Sequence, residues 1–110
     1  MTFKMTFVTF CFMIFSNSIL AEERMSQKLI ICSEVGQVPY EMLTIKGEWF
    51  GFDVDMVKSF SEYLNLPYEM KNTAWSGIIP SLLTSHCDMI VSSMAITPER
   101  EKIISFSDTI

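Results

Sequence analysis

The segment Asp88-Met89-Ile90-Val91-Ser92-Ser93-Met94-Ala95-Ile96-Thr97-Pro98-Glu99-Arg100 runs from an apolar, strand-like stretch through small hydroxylated residues into a helix start. Thr97 is placed to act as an N-cap, and Pro98 fits the first helical position because its missing N–H would have no partner there anyway. Glu99 favours the positive end of the helix dipole. A strand end, free backbone amides and Arg100, whose planar fork of donors matches a carboxylate, therefore converge within a few residues. The segment reads as half of an anion-binding site. The competing reading is a surface strand–helix turn in which Arg100 pairs with Glu99 or Glu101.

Working outward, Leu29-Ile30-Ile31-Cys32 is a short continuous apolar run of the kind a buried parallel strand shows, and it breaks at Ser33-Glu34-Val35-Gly36. Lys46-Gly47-Glu48 reads as a hairpin-like turn leading through Trp49-Phe50-Gly51-Phe52 into a helix. Asp53 caps or opens that helix, and Val54, Val57, Phe60, Ser61 and Leu64 share one of its faces. Asn65-Leu66-Pro67 stops it. Tyr68 to Lys71 predicts a second strand and Asn72 to Trp75 a loop. Ser76 then caps a helix that contains Pro80 in its first turn. Asp88 to Val91 predicts a third strand, and Pro98 to about Ile103 a short helix. The order β-α-β-α-β-α implies an α/β fold with a doubly wound, mostly parallel sheet that binds at the carboxyl ends of its strands. The loops after Cys32, around Trp75 and from Ser92 to Arg100 then meet at one edge.

Residues 1–21 read as a secretory signal peptide. Lys4 supplies the positive start, Phe7 to Phe15 the apolar core, and Ala21 a small residue before Glu22. The apolar run is about half the ~20 residues a membrane span needs, so no stable membrane insertion is expected after cleavage. Cys11 lies inside that run, which argues against a lipoprotein signal. Removing residues 1–21 takes away one basic residue and no acid. Seven basic and thirteen acidic residues remain among 89, a formal charge of −6 that disfavours nucleic acid as a partner. A domain of that size buries a limited core.

Two cysteines remain, Cys32 and Cys87. If their segments are neighbouring parallel strands ending together at Ser33 and Ser92, Cys87 falls about four residues out of register, or ~13 Å at ~3.3 Å per residue. A bridge needs Cα atoms within ~7 Å, so two free, buried thiols are expected. Cys32, Cys87 and His86 lack the paired spacing of a metal-ligand set, and no cofactor motif is present.

Val38-Pro39-Tyr40-Glu41, Gly51-Phe52-Asp53-Val54-Asp55, Trp75-Ser76-Gly77-Ile78-Ile79-Pro80-Ser81-Leu82, Asp88-Met89-Ile90-Val91, Ile96-Thr97-Pro98-Glu99-Arg100 and Phe106-Ser107-Asp108 occur in this order. The chain thereby resembles the periplasmic solute-binding proteins of polar amino-acid ABC transporters, the family 3 extracellular binding proteins, from Leu29 to Asp108. The resemblance implies a periplasmic, non-enzymatic protein that binds a free polar amino acid and delivers it to an ABC transporter permease. It places Arg100 on the ligand α-carboxylate, with amides near Ser92, Ser93 and Ala95 assisting. Trp75 takes the place of an aromatic against the ligand side chain, and Glu34 that of an acid at its polar end or amino group.

Two positions depart from the pattern. Gln37 stands where a second aromatic is usual, and Ala95 replaces a Thr or Ser whose hydroxyl assists at the carboxylate. One lost hydrogen bond to a charged group costs ~1.5–3 kcal/mol, one to two orders of magnitude in affinity. Family members cross into a second lobe just after the Phe-Ser-Asp turn. Residues 22–110 are accordingly expected to be a partial N-terminal lobe, incomplete without the second, with weak or no binding by itself and with apolar surface left uncovered. The same fold also serves ligand-sensing modules of membrane receptors and cyclohexadienyl dehydratase-like enzymes. For the latter Glu34 is the one candidate acid, since His86 falls at the far end of the third strand.

Overall fold

The computed structural model describes residues 27–109, so the signal-peptide reading of residues 1–21 lies outside the described residues. The elements are β1 (Leu29–Ser33), β2 (Met42–Leu43), β3 (Trp49–Phe50), α1 (Phe52–Leu64), β4 (Tyr68–Asn72), α2 (Trp75–Leu83), β5 (Met89–Ile90) and α3 (Pro98–Glu101). β1 is the central strand of a parallel sheet ordered β4-β1-β5, and β2 and β3 form a separate antiparallel pair. Leu29 stands opposite Tyr68 and Ser33 opposite Asn72, while Ile31 and Cys32 face Met89 and Ile90. Because β4 and β5 flank β1 on opposite sides, right-handed crossovers put α1 and α2 on opposite faces of the sheet. This is the doubly wound parallel arrangement that the element order predicts.

Side-chain alternation along β1 then splits the core. Ile31 packs with Val54, Val57 and Met70 on the α1 face, and Cys32 with Ile78 and Cys87 on the α2 face. Gly51 delivers the chain into α1 at φ 128°, and a Cβ at this position would run into the Tyr40 carbonyl oxygen. That close approach has a purpose, because the Phe52 and Asp53 amides donate to the Pro39 and Tyr40 carbonyls at 3.1 and 3.0 Å. The helix is thus capped by a neighbouring loop's backbone. Asp53, expected to cap or open the helix, is its second residue and is buried. Val54, Val57 and Ser61 are buried as the periodicity predicts, whereas Phe60 and Leu64 remain exposed at the flank of the short sheet.

Helix α2 begins two residues earlier than a cap at Ser76 predicts. Ala74 is its N-cap position and no side chain caps it. Pro80 is consequently the sixth helical residue, beyond the first turn, and removes one intrahelical hydrogen bond. α3 is shorter than Pro98 to Ile103: the Ile103 and Ile104 amides both donate to the Arg100 carbonyl at 3.0 Å and close it off.

The expectation of two free thiols is overturned. Cys32 and Cys87 form a disulfide with Cα atoms 5.8 Å apart. Cys87 is not part of β5, whose first residue is Met89. It lies on the connection descending from α2, where Ser85 takes a left-handed φ of 62°. That connection crosses the α2 face directly over the Cys32 side chain, so counting back along an extended strand misplaces it. Register becomes regular only at Asp88, whose amide donates to the Ile30 carbonyl and whose carboxylate accepts from the Ile30 amide, both at 2.8 Å.

Candidate functional site

The carboxyl ends of the three strands bring together the loop after Ser33, the start of α2 and the turn from Ser92 to Thr97. The Thr73 amide donates to the Ser33 carbonyl at 2.9 Å, and the Val35 amide to Asn72 Oδ1 at 3.1 Å. These bonds tie the first two loops across the strand ends. The Glu34 amide donates to Ser92 Oγ at 2.9 Å, which fastens the first loop to the third.

Arg100 does not pair with Glu99 or Glu101. Its Nη1 donates to the Ala95 carbonyl at 2.8 Å and its guanidinium carbon lies 5.4 Å from the centroid of the Trp75 ring. Thr97 caps α3 as its sequence context predicts, accepting from the Arg100 amide at 3.2 Å. The backbone of Arg100 is thus held by a cap and its head by a carbonyl and an aromatic face. A guanidinium so placed keeps donors free and is ready to meet a carboxylate. Trp75 opens α2 and is 37 % exposed, so part of its ring stays open to solvent at this edge.

The remaining expected residues divide. Glu34 is partly buried beside the site. Ser93 is exposed, sits in the left-handed region at φ 49° and donates to Asp53 Oδ2 at 3.4 Å. Ser92 is only 2 % exposed, and its hydroxyl is spent inside the protein: it accepts from Glu34 and donates to Glu41 Oε1 at 3.2 Å. Its place is behind the site. Gln37 is exposed, and its carbonyl accepts from the Tyr40 and Glu41 amides.

Two residues that sequence reasoning missed complete the arrangement. Glu41 is 0 % and Asp53 4 % exposed, and each meets one of the two consecutive serines. Burial, and then the neighbouring Asp53 carboxyl, push the Glu41 carboxyl up to about 7. A signal for Asp53 was present, since it shares the helical stripe of Val54, Val57 and Ser61. Among the described residues no three His, Cys, Asp or Glu side chains gather at metal-ligand spacing.

Residues 29–110 match the family model of bacterial extracellular solute-binding proteins, family 3. The chain belongs to this family. Its relatives are amino-acid-binding periplasmic proteins. The octopine-binding periplasmic protein of Rhizobium meliloti is 32% identical over 81 residues, covering 74% of this chain and 28% of that protein. The histidine-binding periplasmic protein of Salmonella typhimurium is 32% identical over 94 residues, covering 86% and 36%. Among solved structures, a single-site variant of the arginine-bound form of domain 1 of the T. maritima arginine-binding protein superposes with a TM-score of 0.72. It is 37% identical, over 79% of this chain and 66% of that one. The chain spans about a third of the length of the curated relatives it matches. Family membership and these superpositions establish the periplasmic-binding-protein lobe fold. The characterised relatives are binding proteins rather than enzymes.

Proposed function

We propose that this chain recognises the α-carboxylate of a free polar amino acid outside the cytoplasm, as the N-terminal lobe of a binding protein that serves an ABC transporter permease. The observation that carries this reading is the posture of Arg100, held by the Thr97 cap, the Ala95 carbonyl and the Trp75 face. In it Arg100 clamps the carboxylate, exposed amides of the Ser93–Ala95 turn assist, Trp75 packs along the ligand side chain and Glu34 meets its polar end. Octopine, histidine and arginine are among the ligands named for relatives, which favours a cationic or polar side chain here. The Cys32–Cys87 disulfide is in keeping with export to an oxidising periplasm behind the signal peptide of residues 1–21.

Affinity of the lobe alone is expected to be weak, because a second lobe would supply the partner of the ligand ammonium. Domain 1 of the T. maritima protein in its arginine-bound form supports a lobe of this kind holding a ligand at all. Calorimetry of the full chain should show weak heat with L-arginine and none with agmatine, which lacks the carboxylate. Arg100→Ala should lower affinity by about two orders of magnitude. Where the heat is too small to fit, the lobe grafted onto the second lobe of the histidine-binding relative serves for the same pair of measurements. Equal binding of agmatine, or full binding by Arg100→Ala, would overturn the reading.

A further inference from the structure

Glu41 and Asp53 come from separate parts of the chain, the residue before β2 and the first turn of α1, yet both end beneath the Ser92–Ser93 turn. Two acids under a site for an anion are the wrong charge for direct attraction. Their contacts run to the turn instead: Ser92 Oγ donates to Glu41 Oε1 and Ser93 Oγ to Asp53 Oδ2. Ser92 in turn receives the Glu34 amide, so the chain Glu34 N–H, Ser92 Oγ, Glu41 Oε1 links the first loop through the third to the hairpin.

The groups facing Glu41 are the Asp53 carboxyl from α1, the Glu34 carboxyl from the loop after β1, and the neutral Ser92 hydroxyl from the turn after β5. Among the described residues no Lys, Arg or His makes an ion pair with it. Two buried carboxyls side by side without a cation cannot both ionise at modest cost. Glu41 Oε2, buried and without a hydrogen-bond partner, is the oxygen free to carry the proton, which leaves Oε1 to accept from Ser92.

We propose that Glu41 and Asp53 are positioning residues that hold the Ser92–Ser93 turn from behind, with Glu41 doing so in its protonated form, so that one buried proton sets the geometry of the turn. The consequence for ligand affinity rests on the carboxylate-clamp reading above; the positioning of the turn does not. Ionisation of Glu41 tightens its bond from Ser92 but places a buried charge without a cation beneath the turn, and so alters the bond chain to Glu34. The stability sign follows from the raised folded-state value. The protonated form is retained by the folded chain and given up earlier by the unfolded one. The contribution is therefore complete below about 4.5, and is lost as pH rises through about 7.

The test is amide NMR of the full chain against pH. The Glu34 amide resonance should shift with a midpoint near 7, and the shift should vanish in E41Q, which keeps an acceptor for Ser92 but cannot titrate. D53N, which leaves Glu41 in place, should move the midpoint to lower pH. L-arginine affinity should fall by about tenfold, the worth of one charge-assisted hydrogen bond, between pH 5.5 and 8.5 in the parent and stay level in E41Q. A Glu34 amide indifferent to pH, an equal shift in E41Q, or an unmoved midpoint in D53N overturns the proposal. A Glu34 amide that titrates as described, in a lobe that binds no L-arginine at either pH even when grafted onto the second lobe of the histidine-binding relative, upholds the positioning role and overturns the carboxylate clamp instead.

Discussion

On the α1 face of the sheet Ile31, Val54, Val57 and Met70 close on one another by packing alone, whereas on the α2 face the smaller cluster of Cys32, Ile78 and Cys87 has a covalent bond running through it. A lobe of this size has few buried side chains to distribute. The face that receives the thinner share is the one that is cross-linked. α1 brings two buried residues, Val54 and Val57, to its cluster over thirteen positions, while α2, nine residues long and interrupted by Pro80, brings Ile78.

The largest effect should come from breaking the covalent side of this contrast. Replacing Cys32 and Cys87 together by Ser reopens a loop of 55 residues and should cost about 4 kcal/mol by denaturant titration. A loss under about 1 kcal/mol would mean that packing closes both faces equally. Next comes the packed side: Ile31→Ala empties the centre of the α1 cluster and should cost about 3 kcal/mol, with the disulfide still formed by thiol assay. The smallest effect belongs to a residue on neither face. Thr97→Ala removes only the cap of α3 and should cost about 1 kcal/mol, leaving both clusters intact in the denaturation slope.

Much of this arrangement was legible before folding was considered. Apolar continuity marked β1, and the positions of Val54, Val57 and Ser61 marked the buried stripe of α1. The Thr97-Pro98 pair marked the start of α3. Each of these signals is local, because strand and helix periods are properties of the backbone. The candidate site was legible in outline for a related reason: in a doubly wound sheet, loops that follow strands must share an edge. Arg100, Trp75 and Ala95 do meet there. The burial of the Ser92 hydroxyl behind that turn was not legible, since exposure of one hydroxyl depends on which neighbours lie beneath it.

The helix starts show the same division. Ser76 has the chemistry of an N-cap, yet α2 begins at Trp75 and leaves it inside. α1 is capped by the Pro39 and Tyr40 carbonyls, distant in sequence, through a glycine that no other residue could replace without meeting Tyr40.

By itself the sequence determined the element order, the sheet's parallel sense and the gathering of Arg100 and Trp75 at one sheet edge. These depend on periods and on turn chemistry spanning a few residues. Only the tertiary structure decided that Cys87 would descend from α2 onto Cys32, that Glu41 and Asp53 would share a buried space, and that Ser92 would serve as a strut. Each of those outcomes depends on where two distant segments cross, and that crossing is set by the path of a connection through space rather than by the residues at either end of it.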